Sequence, residues 1–220
     1  MTIYLEGGGN SAALKTECRK AFTKFFEATG LKESRRMPSP VACGSRNEAF
    51  DKFSTAVRNG KEAMLLVDSE APVAVDSATG KPVSPLIHLN SRDNWVFPMG
   101  TVNEQVQLMV ECMESWFVAD REQFIAYYSK GNRQANSNAL SEFTDVEIVS
   151  KQQIFKYLEA ASRPSGSNRY SKGSRSFDVL STIRPKRVAE ASYHARRMFY
   201  YLGVTESWLD RSEFESPSDY

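Results

Sequence analysis

Three carboxylates occupy positions where a parallel sheet would gather them. Glu6 closes the stretch Ile3-Tyr4-Leu5 and is followed by Gly7-Gly8-Gly9-Asn10, while Asp68 and Glu70 close the apolar run Ala63-Met64-Leu65-Leu66-Val67. If both runs are strands of one open parallel sheet, their carboxyl ends line a common crevice and the three side chains meet there, although about 60 residues separate them. Carboxylates so placed repel one another unless a cation lies between them. Hard oxygen donors suit Mg²⁺ or Mn²⁺, and such an ion serves phosphoryl chemistry by neutralising phosphate oxygens and activating water. Gly7, Gly8 and Gly9 would let phosphate oxygens approach the backbone at the start of the following helix. Asp68 and Glu70 are then the first metal ligands, and Glu6 is either a third ligand or the general base.

Other residues could join this site. Glu114 and Asp120 flank Trp116 near the end of a candidate fourth strand, so Glu114 could add a ligand or merely stabilise a helix N-terminus. Arg46 follows Gly44 at another strand's carboxyl end and could face the same crevice. Trp116 and Tyr170 could stack on bases, although Trp116 suits a core better. His88 reads as a loop residue without catalytic duty. Two histidines and three dispersed cysteines assemble no zinc pattern, and Cys18, Cys43 and Cys112 read as reduced core thiols. A dinucleotide site competes for the glycines, because Gly7-x-Gly9-x-x-Ala12 fits its turn. Against it, Val41-Ala42-Cys43-Gly44 stands where an acidic second-strand end is expected, and Glu6 would face the pyrophosphate.

The elements needed to hold these residues can be read from periodicity. Apolar residues from Ala12 to Phe26 recur with helical spacing and stop at Gly30. A short strand over Pro40 to Cys43 leads through Gly44 into a second helix with Ala49, Phe50, Phe53, Ala56 and Val57 on one face, and Ala63 to Val67 is a buried strand. Strand-helix-strand-helix-strand predicts an α/β fold with a right-handed parallel sheet flanked by helices. From Ala71 to Thr101, four prolines and two glycines break every periodicity, which predicts a long irregular excursion that shapes substrate or docks a partner. A strand over 106–111, a helix from 114 to about 128, an Asn-rich loop over 129–145, and helices near 150–162, 176–183 and 190–202 follow. The expected organisation is a core over 1–128 with an insertion at 71–105, a basic and mainly helical extension over 129–205, and a disordered acidic tail over 206–220.

Composition sets the remaining bounds. The net charge of +1 hides an asymmetry: Arg163 to Arg197 carries nine Lys or Arg against Asp178 and Glu190, whereas Glu206 to Tyr220 carries five acids and one Arg. The basic third is where nucleic acid could dock. No apolar run approaches the ~18 residues of a membrane span, so a cytoplasmic protein with no membrane partner is expected. Self-association as a homo-oligomer is left open.

The segments Tyr4-Leu5-Glu6-Gly7-Gly8-Gly9, Val41-Ala42-Cys43-Gly44-Ser45-Arg46, Leu66-Val67-Asp68-Ser69-Glu70 and Met113-Glu114-Ser115-Trp116-Phe117 together resemble a bacterial Toprim-like family of unknown function, related to the OLD-type nucleases. The Toprim signature is a Glu-Gly at the end of the first strand and an Asp-x-Asp at the end of the third. Here Asp68-x-Glu70 replaces the second aspartate by a glutamate, which keeps the charge but shifts one oxygen by a methylene. The resemblance implies a Toprim-like parallel core and a Mg²⁺-dependent nuclease-type effector of anti-phage defence. It also implies a partner ATPase of the SMC or ABC type within the AAA class. Similar nucleases carry a late lysine that reaches the scissile phosphate, and Lys172, in a flexible basic stretch from Arg163 to Arg175, is the candidate. The alternative is a non-catalytic adaptor that binds the ATPase or nucleic acid.

Overall fold

The computed structural model describes residues 1–131 and 133–214. Its first strand, β1 (Thr2–Gly8), lies between β2 (Ser39–Gly44) and β3 (Ala63–Asp68), and β4 (Val106–Met109) pairs with β3, giving the order 2-1-3-4. Every pairing is parallel. All positions of β3 and β4 are buried, as both faces of a parallel sheet must be when helices cover them. This is an α/β fold with a mainly helical C-terminal part, consistent with a Toprim-like core.

Alternate strand residues feed two separate cores. Ile3, Leu5, Met64 and Leu66 point to one face and pack with α1 (Ala12–Glu27), whereas Leu65 and Val67 point to the other and pack with α2 (Arg46–Arg58). Both helices start on a serine: Ser11 accepts from the Leu14 N–H, and Ser45 forms a reciprocal box with Glu48. The fully buried positions of α1 begin at Cys18, with Leu14 half-buried against the same core, while Ala12 and Ala13 are exposed. The later helices, α4 (Ser115–Ala119), α5 (Arg121–Tyr128), α6 (Lys151–Ser162), α7 (Ser174–Leu180), α8 (Pro185–Ala191) and α9 (Tyr193–Tyr201), join the α1 core. The insertion covers the opposite face, where Leu89 and Trp95 enter the α2 core.

Several expectations are corrected. The insertion is not wholly irregular, because α3 (Pro85–Asp93) forms within it, capped by Ser84 with Pro85 in its first turn and ended by Asn94 in the left-handed region. His88 therefore sits on a helix, buried, with Nε2 3.0 Å from the Ser69 carbonyl oxygen. The helix expected from 114 to 128 breaks at Asp120, whose backbone leaves the helical region and whose carboxylate takes Arg184 at 2.5 Å. Proline at its first turn starts α8 as a helix of its own. Trp116 and Tyr170 are 0% and 3% exposed, so neither can stack on bases; Trp116 instead stacks on Phe25 at 5.1 Å. The stretch 163–175 is folded into a short 3-10 segment and the start of α7. Nor is the described part of the tail free: Leu209 is buried, Trp208 meets Phe199 edge-on, and Glu213 accepts from Arg196 at 2.7 and 3.1 Å. Residues 215–220 lie outside the described residues. The three cysteines are buried free thiols, as expected, with Cys18 pushed up to about 12 by burial and the neighbouring Cys43. No helix among the described residues is long and apolar enough to cross a membrane.

Candidate metal and phosphate site

The loop after β1 is built around a close approach. Gly8 has φ +84, and a Cβ there would fall 2.6 Å from the Lys15 Cα, so only glycine lets the chain turn directly into α1. Gly9 has open space around it. The turn leaves Glu6 beside the end of β3, where its Oε2 accepts from the Asp68 N–H at 3.2 Å. Asp68 is 6% exposed, and its Oδ1 accepts from the Met113 N–H at 2.8 Å. Two residues on, Glu70 adopts φ +59, a left-handed conformation a glutamate rarely takes, and its N–H donates to the Glu111 carbonyl. One carboxylate oxygen from each of Glu6, Asp68 and Glu70 lies within 4.8 Å of the other two, the convergence expected of strand ends.

Basic side chains hold two of the three. Arg46 donates to Glu6 at 3.5 Å, to the Asp68 carbonyl at 2.8 Å and to Asp93 of α3 at 2.7 Å, while its guanidinium lies over Trp95. Lys151, the first residue of α6, reaches Glu70 at 2.5 Å. Asp68 has no cation at salt-bridge distance among the described residues. The protonation equilibria follow. Burial, then the charges of Glu6 and Glu114, push Asp68 well above the usual aspartate range. Burial also raises Glu6 against the opposing Arg46. For Glu70 burial acts upward, but the hydrogen bond and charge of Lys151, with Arg46 and Lys172, outweigh it and leave the carboxyl below its ordinary value.

A cavity of about 350 Å³ opens over Glu6 and Asp68, and its wall includes the three glycines, Glu114 and Lys172, but not Glu70. Glu114 is 1% exposed and accepts from the Tyr170 hydroxyl at 2.9 Å, so it borders the site without belonging to the close trio. Lys172 is exposed at the rim and lies over the Phe155 ring. Sequence reasoning missed Lys151 and Asp93. Ser150 marks the start of α6, but nothing local ties its first residue to Glu70, 81 positions away.

The family model described as a domain of unknown function, DUF4276, matches residues 5–203. The chain belongs to the DUF4276 family. The match takes in Glu6, Asp68, Glu70, Glu114 and Lys172, so the whole acidic crevice lies within the DUF4276 domain. No curated protein and no solved structure matches the chain significantly.

Proposed function

We propose that the chain is a Mg²⁺- or Mn²⁺-dependent phosphodiesterase of the nuclease type, with Glu6, Asp68 and Glu70 holding the ion. The observation that carries this reading is a buried aspartate with no cation at salt-bridge distance among the described residues, set among carboxylate oxygens that converge within 4.8 Å. The donor set fits: all three groups offer hard oxygens, and each keeps one that accepts no hydrogen bond among the described residues, Oε1 of Glu6, Oδ2 of Asp68 and Oε1 of Glu70. When bound, the ion supplies charge neutralisation at phosphate oxygens and a more acidic water.

The chain's own residues supply the rest. Arg46 fixes Glu6 and the backbone of Asp68, and Lys151 fixes Glu70, so the carboxylates stand preorganised. Gly7 to Gly9 line the cavity at the start of α1, and the open space beside Gly9 leaves room there for a phosphate, whose non-bridging oxygens Lys172 meets from the rim. Glu6 acts as third ligand or accepts the proton of the attacking water. The Toprim-like resemblance adds a setting: an anti-phage effector controlled by an SMC- or ABC-type ATPase. Of six large hydrophobic side chains exposed among the described residues, five (Val75, Ile87, Val96, Met99 and Val102) belong to the insertion, and surface of that kind suits a protein partner.

Labelled DNA and RNA incubated with Mg²⁺ or Mn²⁺, with and without the ATPase, test the proposal. Cleavage that Asp68→Asn abolishes is expected; absence of cleavage in every arm overturns it. The second reading, a non-catalytic adaptor, draws on the engagement of Glu6 and Glu70 by Arg46 and Lys151, which leaves one unpaired carboxylate. Calorimetry showing no Mg²⁺ or Mn²⁺ binding, beside a stable ATPase complex, would favour it.

A further inference from the structure

The basic third of the chain divides in two once folded. Its later half is consumed internally: Arg184 pairs with Asp120 and Glu122, Lys186 and Arg187 with Glu190, and Arg196 with Glu213. The earlier half is not. Arg163, Arg169 and Lys172, together with Lys156 of the preceding α6, are exposed, and among the described residues none has a carboxylate at salt-bridge distance. All four line one groove of about 520 Å³, in which Glu159 is the sole acid among the described residues. Lys172 also lines the acidic cavity, so the groove and the cavity share a wall.

We propose that this groove carries the phosphate backbone of a single nucleic-acid strand, which crosses Lys172 so that its next phosphate enters the acidic cavity. The placement of that phosphate rests on the phosphodiesterase reading; the groove itself does not. Unpaired cations that share one concave surface are what a polyanion recruits, since each contact releases condensed counterions. A single strand is favoured over a duplex by depth. Asp68 and Glu114 lie at 6% and 1% exposure, and a flexible chain can bend into that recess while a stiff double helix cannot.

Binding of a fluorescent 16-nucleotide DNA or RNA is measured by anisotropy in EDTA across a salt series, so no metal or cleavage enters. Arg163→Gln/Arg169→Gln should lower the log–log salt slope by about 1.4, at ~0.7 per single-strand contact. Lys20→Gln/Lys24→Gln, which removes the same charge from exposed or partly exposed positions of α1, should leave the slope unchanged. A duplex of the same sequence should bind at least tenfold more weakly. Equal slopes for the two double variants, equal duplex binding, or no oligonucleotide binding by the wild-type chain each overturns the proposal. Normal groove binding without hydrolysis under any metal would instead count against the phosphodiesterase reading alone.

Discussion

Asp68 is held in a state that folding alone does not favour. Its folded-state pKa lies above that of the free side chain because burial and the neighbouring Glu6 and Glu114 oppose the charge. A carboxyl raised in this way destabilises the fold in full above its folded pKa; the penalty shrinks as pH falls below that value and is gone only below the ordinary aspartate pKa. Asp68→Asn keeps the acceptor for the Met113 N–H and removes the charge. In EDTA at neutral pH its melting temperature should exceed that of the wild type by ~2–4 °C, the shift about 1 kcal/mol produces in a chain of this size. The difference should vanish in acid. With Mn²⁺ the order should invert, because the ion stabilises only the wild type. A wild type that is more stable than the variant in EDTA would mean that Asp68 is compensated in a way its surroundings do not show.

At the level of elements, the site depends on how sharply β1 hands over to α1. The turn succeeds because Gly8 has no Cβ to strike the Lys15 backbone, and because Ser11 caps the helix immediately afterwards. Gly8→Ala should cost about 2–4 kcal/mol, combining left-handed strain with a backbone clash that no side-chain rotation can relieve. Gly9→Ala, with nothing near its Cβ, should cost only the strain, about 1 kcal/mol. Urea unfolding of both variants checks the pair, and equal losses would show that the clash at Gly8 is absorbed by movement of α1. Arg46 plays the corresponding part on the other face: as the first residue of α2 it ties Glu6, the end of β3 and α3 of the insertion to one guanidinium.

For the molecule as a whole, the two sheet faces have separate fates. The α1 face is sealed by the C-terminal helices, and the last described residues complete that seal, with Leu209 buried and Trp208 against Phe199. Leu209→Ala should therefore cost about 2–3 kcal/mol in chemical denaturation, the loss typical of a buried leucine. A change below about 0.5 kcal/mol would return the tail to the free segment its acidic composition suggests. The opposite face is covered by α2 and the insertion, whose exposed apolar side chains are the surface on which the proposed partner would dock.

Much of this was legible in the residues themselves. A buried apolar run followed by an acid marks a strand end, a glycine run marks a turn too tight for side chains, and the crossover rule for parallel strands brings Glu6 and Asp68 together. Those inferences are local or topological, so they needed no coordinates. The α3 helix escaped because nine residues between prolines carry too little periodicity to announce themselves. Tyr170 looked like a surface aromatic in a polar stretch, yet Ser162, Ser176 and Glu114 satisfy its polar groups and let the core take it. Lys151, Asp93 and the division of the basic third into paired and unpaired halves depended on how α6, α3 and α8 dock. Docking is decided by packing among residues far apart in the chain, where charge composition is silent about which cation finds a partner and which is left facing solvent.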